Sequence, residues 1–281
     1  MIRWPPHVDS ALFLERHWQK APLLIPGGVT DIGFLPSPEE LAGLACEEDV
    51  ESRLVSGDSV NGWRVREGPF VVADFLALPE AGWTVLVQDV DKDLADVAAL
   101  LEAFGFLPRW RLDDLMISYA APSGSVGPHI DAYDVFLLQG DGARTWELDC
   151  APGVAPRRED SELDVLARFE PDKCWSVQSG DIIYLPPGVA HFGHSVQPSM
   201  TCSVGFRAPS ASEMFATTAR WLESTAKSRY ADPDLAPDEI EGSRLSSAAI
   251  ERARHLLGTA AAEADAGMAE LLGRLSTEVK P

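Results

Sequence analysis

The sequence predicts a mainly β domain with helices packed around it and a helical region after it, and three observations carry that expectation. Between Asp113 and Phe206, the short apolar runs "LMISYA", "YDVFLLQ", "RTWEL", "CWSVQ", "DIIYL" and "MTCSVGF" alternate with Gly, Pro, Asp and Ser, the signature of an antiparallel sandwich or barrel. Before that stretch, helical and strand patterns alternate. After "FRAPS" the apolar residues recur at i, i+4, i+7 and i+11, the period of a helix.

In chain order, "SALFLERHWQK" (10–20) reads as a short helix, with Ser10 as its cap and Pro22 beyond its end. "APLLIPGG" reads as a strand stopped by Pro-Gly. "SPEELAGLACEED" (Ser37–Asp49) has a Ser-Pro-Glu-Glu helix start and an apolar stripe at Leu41, Leu44 and Ala45. "WTVLVQDV" (Trp83–Val90) is a strand, and "DVAALLEAFGFLP" (Asp96–Pro108) a helix ended by Gly and Pro. Beyond the β region, Phe215, Ala219, Leu222 and Ala226 form one stripe on a helix over 211–229, followed by an acidic, Pro-containing linker, "YADPDLAPDEIEG". Ile250, Ala253, Leu257, Ala261, Ala264, Met268, Leu271 and Leu275 then line one side of a long helix. These stripes either pack on their own domain or form a self-association surface.

The 281 residues suffice for one large domain or two modest ones. With 23 basic against 44 acidic residues, net charge −21, the surface repels nucleic acid and attracts a basic partner, although acidity also serves plain solubility. Four cysteines without C-x-x-C spacing argue against a zinc or disulfide framework. No segment approaches the roughly 20 apolar residues of a membrane span, and the N-terminus lacks a signal-peptide run. A cytoplasmic, membrane-free protein is expected.

The chemistry is concentrated in two stretches. In "GPHIDAYD", His129 and Asp131 are two residues apart, so an extended backbone points both to one side and Ile130 to the other. "GDIIYLPPGVAH" fits G-x5-P-x-G-x2-H, with Gly180, Pro186, Gly188 and His191; this is the second motif of the cupin-type jelly roll, whose histidine is a metal ligand. Proline and glycine end the ladder and bend the chain, which returns His191 over the barrel mouth. H-x-D alone is common, whereas H-x-D…H inside an all-β stretch has the donor set of the facial triad of non-haem Fe(II) oxygenases. His194 competes as third ligand, but three residues on it turns away from His191. His7, His17 and His255 lie outside the β region. Arg144 shares a strand face with Trp146 and Leu148, a position that calls for a buried anion, either an acid of the same sheet or a carboxylate ligand.

"DDLMISYAAPSGSVGPHIDAYDVFLLQGDGARTWEL", "GDIIYLPPGVAHFGHS" and "SVGFRAP" resemble the bacterial JmjC-type ribosomal oxygenases, as do "FLERHWQKAPLLI", "ELAGLA" and "SRLVSG" and, more weakly, "YADPDLAP". That family consists of Fe(II)- and 2-oxoglutarate-dependent arginine hydroxylases acting on large-subunit ribosomal protein L sixteen. The resemblance implies iron ligands at His129, Asp131 and His191, with Arg144 on the distal carboxylate of 2-oxoglutarate and Ser118 lining its pocket. It implies O2 as second co-substrate, a basic ribosomal protein as substrate, and a homodimer. It further implies a JmjC/cupin double-stranded β-helix over 1–208 and a helical dimerisation region over 209–281. The family's winged-helix domain is expected to be absent, since the chain ends at Pro281. Thr201 stands where an asparagine is expected, and Ala120 where a serine is common. Tyr133 and Asp134, just past the iron-binding pair, are the candidates for the substrate entrance. Alternatives are the same oxygenase acting on another residue or a small molecule, and a non-catalytic JmjC-like binding module. A cupin isomerase or thiol dioxygenase is disfavoured by Asp131, because these usually carry an all-histidine triad.

Overall fold

A computed structural model describes residues 2–151, 156–226, 228–233, 235 and 245–277. The chain divides into two compact units, residues 1–208 and 209–281. The first unit begins with α1 (Ser10–Arg16), β1 (Leu23–Ile25), α2 (Pro38–Leu44), the hairpin β2 (Ser52–Asp58) and β3 (Gly62–Glu67), α3 (Val72–Leu76) and β4 (Trp83–Val87). Two single-turn helices, α4 (Val90–Asp93) and α5 (Ala95–Ala98), lead through a 3-10 helix (Ala99–Phe104) to β5 (Leu112–Ala120). There follow β6 (His129–Ile130), β7 (Asp134–Gln139), β8 (Ala143–Asp149), β9 (Lys173–Gln178), β10 (Ile182–Leu185), β11 (Ala190–Ser195) and β12 (Ser199–Phe206).

Two antiparallel sheets result, one of eight strands in the order β1-β10-β7-β12-β5-β4-β2-β3 and one of four, β6-β11-β8-β9. This is the expected jelly roll. Strand alternation sorts the side chains of the larger sheet. On β12 every residue is buried; Met200, Cys202, Val204 and Phe206 join the core beneath the helices, while Ser199, Thr201 and Ser203 point the other way. β5 repeats the pattern, with Leu115 and Ile117 in that core and Met116 and Ser118 lining the interior cavity. A hydroxyl-rich inner wall is therefore written into the odd positions of "SMTCSVGF".

Several expectations change in detail. Asp9, rather than Ser10, caps α1, its carboxylate accepting from the Leu12 amide. Ser37 caps α2 in a capping box with Glu40, as the Ser-Pro-Glu-Glu start predicts. The helix expected over 96–108 is one α-helical turn that tightens into the 3-10 helix, where Leu100 and Phe104 are buried against the sheet's core. The hairpin β2–β3 went unread in the sequence.

In the second unit, α6 (Ala211–Thr225) is started by Ser210 and Glu213 in a capping box. Its buried face is Thr217 and Trp221, not the Phe215 stripe; Phe215 is 76% exposed. Trp221 packs with Ala264 and Leu271, and the long helix is broken at Gly267 into α7 (Ser247–Ala266) and α8 (Met268–Thr277). Most of the acidic linker read over 230–242 lies outside the described residues. Among the described residues no helix is long and apolar enough to cross a membrane.

Candidate active site

The His129–Asp131–His191 cluster is assembled by two turns. Antiparallel pairing of β6 with β11 sets His191 directly opposite His129. Gly188, at φ +86° where a side chain would be strained, turns the chain after the two prolines, and its amide donates to the Asp131 carbonyl at 2.9 Å. The Pro-x-Gly motif thus grips the H-x-D segment itself. His129 Nε2 lies 3.9 Å from Asp131 Oδ1 and His191 Nε2 lies 3.6 Å from Asp131 Oδ2. One ligand atom from each of the three falls within 4.8 Å of the others.

The second ring nitrogens fix the tautomers. His129 Nδ1 donates to the Gly127 carbonyl at 2.9 Å and His191 Nδ1 to the Val189 carbonyl at 3.1 Å. Each proton is committed to the backbone, so both Nε2 lone pairs face the cluster. Burial, with the His129 ring adding to it, pushes the His191 pKa down to about 4, so His191 is neutral at neutral pH. Two imidazoles and a carboxylate on one face fit a divalent iron-type ion and leave open positions for ligands. His194 stands opposite Thr145, on the other face of the sheet from His191 and Ser195, and does not reach the cluster.

From the cluster a cavity of about 370 Å³ runs between the sheets. Arg144, 6% exposed, stands in its wall opposite Ser195 on β11. Its Nε donates to Ser195 Oγ and its Nη1 to Thr201 Oγ1, both at 3.2 Å, and its guanidinium carbon sits 5.5 Å from the centre of the Trp146 ring. Among the described residues no carboxylate pairs with it, and burial alone pushes its pKa down to about 10. The group stays a cation at neutral pH, with three of its five N–H groups uncommitted. Ser118 lines the cavity opposite Thr201, and Thr201, the departure noted in the sequence, is itself a partner of Arg144.

The two entrance candidates separate. Tyr133 lines the cavity and is 39% exposed; burial of its phenol and the nearby Asp131 carboxylate push its pKa up, so it remains neutral. Asp134 is a correction: it is fully buried on the reverse face of β7 with Phe136 and Leu138, because alternation turns it away from the cavity. It accepts from Tyr184 Oη at 2.5 Å, Gln19 Nε2 at 2.9 Å and Arg111 Nη2 at 3.2 Å.

Sequence reasoning missed a polar trio in the cavity wall, Arg53, Gln88 and Asp114. Counting back in twos from Ser118 reaches Met116 and Asp114, so Asp114 was legible once its strand was assigned. Gln88 follows Thr84 and Leu86 in the same way. Arg53 had no signal, since its strand was unread.

The sequence matches the JmjC domain family over residues 99–214. The Ribosomal protein uL16 3-hydroxylase of Escherichia coli K12 is 41% identical over 84% of this chain and 61% of its own length, so the chain spans less than two thirds of that relative. The solved structure of Escherichia coli YcfD superposes with a TM-score of 0.80 at 37% identity, covering 91% of this chain and 68% of that one. YcfD, described as a ribosomal oxygenase, has also been solved with cobalt and 2-oxoglutarate; that structure gives a TM-score of 0.76 at 38% identity, over 91% of this chain and 67% of the other. Sequence, fold and the facing His-Asp-His cluster agree, and the chain belongs to the family of JmjC-domain ribosomal oxygenases.

Proposed function

We propose that this chain is an Fe(II)- and 2-oxoglutarate-dependent oxygenase that hydroxylates an arginine side chain of a large-subunit ribosomal protein. The observation that carries the reading is Arg144, a buried cation with no acid beside it among the described residues, in the wall of the same cavity as a two-imidazole and carboxylate cluster. A dicarboxylic keto acid meets both, with its distal carboxylate on the guanidinium and its keto-acid end toward the triad. The cobalt- and 2-oxoglutarate-bound YcfD structure supports the same pairing of ligands.

Iron held by His129, Asp131 and His191 supplies the redox chemistry by which O2 and 2-oxoglutarate become succinate and CO2, while a substrate C–H becomes C–OH. The residues of the chain do the positioning. Arg144, with three free donors, grips the carboxylate, and Ser118 and Thr201 supply hydroxyls beside it. The apolar walls, Leu86, Val135, Leu137 and Trp146 among them, limit water in the reaction space. Asp114 and the Tyr133 ring lie where an entering cationic side chain passes, and the net charge of −21 favours approach of a basic protein. In the same reading residues 1–208 carry catalysis and 209–281 self-association, a role that the exposed Phe215, Ile250 and Leu257 support.

The test is mass spectrometry of an arginine-containing fragment of the ribosomal protein after incubation with the protein, Fe(II), ascorbate and 2-oxoglutarate. One added oxygen on arginine, absent with His129→Ala, is the expected result. Succinate without oxygenation of the fragment would replace the substrate, and neither product from iron-loaded protein would leave a binding module.

A further inference from the structure

Resting on the reading of His129 as a metal ligand, we propose that Trp63 and the segment 158–166 form a brace that positions His129 from outside the triad, through Gly127 and Pro128. The segment lies between β8 and β9, and none of the three ligands comes from it.

The two residues before His129 are held by contacts from far along the chain. The Gly127 amide donates to the buried Ser125 Oγ at 3.1 Å, and the Gly127 carbonyl is the acceptor for His129 Nδ1. Gly127 sits at φ +81°, and a Cβ built there would come within 2.7 Å of Val165 Cγ1 and 3.1 Å of the Trp63 ring. Val165 and Trp63, both 1% exposed, therefore close directly on its bare Cα. One residue on, the Pro128 carbonyl accepts from the Leu166 amide at 2.7 Å. The acceptor of the imidazole, and with it the direction of Nε2, is thus set by where Trp63, Val165 and Leu166 put this peptide.

The brace is itself fastened. Glu162 donates its amide to the Trp63 carbonyl at 3.0 Å, and its carboxylate accepts from the Val65 amide at 2.7 Å. Arg158 donates its amide to the Val165 carbonyl at 2.9 Å, lays its guanidinium 5.8 Å from the centre of the Trp63 ring, and donates to the Ser59 carbonyl. The hairpin β2–β3 and the segment are thereby tied into one piece. Trp63 Nε1 is buried with no hydrogen-bond partner among the described residues, so the shape and face of the ring hold it there, and not its N–H. At the other end of the H-x-D stretch the Gly188 amide holds the Asp131 carbonyl. Two separate segments thus locate the ligand pair from its two ends.

The test is calorimetric titration of the metal-free chain with Co(II), with the thermal midpoint of the metal-free protein measured alongside. Wild type is compared with W63L, G127A, the double variant G127A/V165A, H129A, and L41A in the remote core of α2. W63L and G127A are expected to bind Co(II) about tenfold more weakly, the scale of a residue that orients a metal ligand. Removing Val165 Cγ1 makes room for the new Cβ, so the double variant should recover about threefold of the loss. The left-handed backbone at 127 keeps it below wild type. L41A should lower the midpoint and keep the Co(II) affinity. Wild-type affinity in W63L and G127A, whatever their midpoints, overturns the proposal, and so does a double variant that recovers nothing. An L41A that loses as much affinity as W63L also overturns it, because general softening then explains the effect. Should W63L not fold, the comparison of G127A with the double variant decides alone. A wild type that binds Co(II) no better than H129A removes the reading of His129 as a ligand, and the inference with it.

Discussion

Two arginines of the first unit, Arg144 buried and Arg111 partly so, sit over tryptophan rings at the same distance, 5.5 Å, and do opposite things. Arg111 stacks on Trp18 behind the larger sheet and meets Asp134, whose carboxylate is wholly buried; its Nε donates to the Arg207 carbonyl. Arg144 stacks on Trp146 in the cavity and, among the described residues, hydrogen-bonds the hydroxyls of Ser195 and Thr201 and no carboxylate. A cation that carries its own anion is closed and ties segments together, here the turn after α1, the turn before β5, and strands β7 and β10, through Gln19, Arg111, Asp134 and Tyr184. A buried cation without one is an open valence, and it is retained at a cost in stability because something else supplies the charge.

The largest effect comes from removing what makes the cavity reactive: His191→Ala should lower hydroxylation by more than about a thousandfold and abolish metal binding, checked by mass spectrometry and metal analysis. Next, Arg144→Met should raise the KM for 2-oxoglutarate by about a hundredfold, the worth of two charge-assisted bonds, while the thermal midpoint stays level or rises. Asp134→Asn should do the reverse. Leaving Arg111 uncompensated costs about 3 kcal/mol in denaturant unfolding, while the KM for 2-oxoglutarate moves less than about twofold. A variant at 144 that melted early, or one at 134 that mainly lost co-substrate, would break the comparison.

The pH dependence sharpens it. Burial lowers the pKa of Arg144 to about 10, below its ordinary value. Under that pH folded and unfolded chains both hold the proton, and the burial penalty is constant. Above it the unfolded chain binds more protons than the folded one, so stability rises with pH there. Arg144 should therefore add no break to co-substrate KM between about pH 6 and 9. The smallest effect is Thr201→Val, about threefold in that KM, since it removes one partner of a guanidinium that keeps Ser195.

The parts of this site that lie in short motifs were readable from the chain. His129, Asp131 and His191 are spaced by strand period and by a Pro-x-Gly turn, and both are local rules. The face of Arg144 followed from alternation along one strand. Asp134 failed for the same local reason that the others succeeded: the candidacy rested on its nearness in sequence to Asp131, whereas its place after Tyr133 sets it on the reverse face with Phe136. The helix stripe beginning at Phe215 failed differently. Its 3.6-residue period was real, but a helix offers more than one semi-apolar face, and Trp221 selected the other.

The sequence by itself determined the strand order of chemistry: which residue types can bind a metal, which arginine faces inward, and where turns must fall. These depend on backbone geometry over a few residues, which spacing and glycine or proline placement encode directly. Only the tertiary structure decided that no acid pairs with Arg144 among the described residues, that Thr201 fills a place on its guanidinium, and that Arg53 on β2, Gln88 just past β4 and Asp114 on β5 meet. Those facts depend on register between segments far apart in the chain. A shift of one residue in any of these pairings would turn each side chain to the opposite face, and nothing local in the sequence fixes that choice.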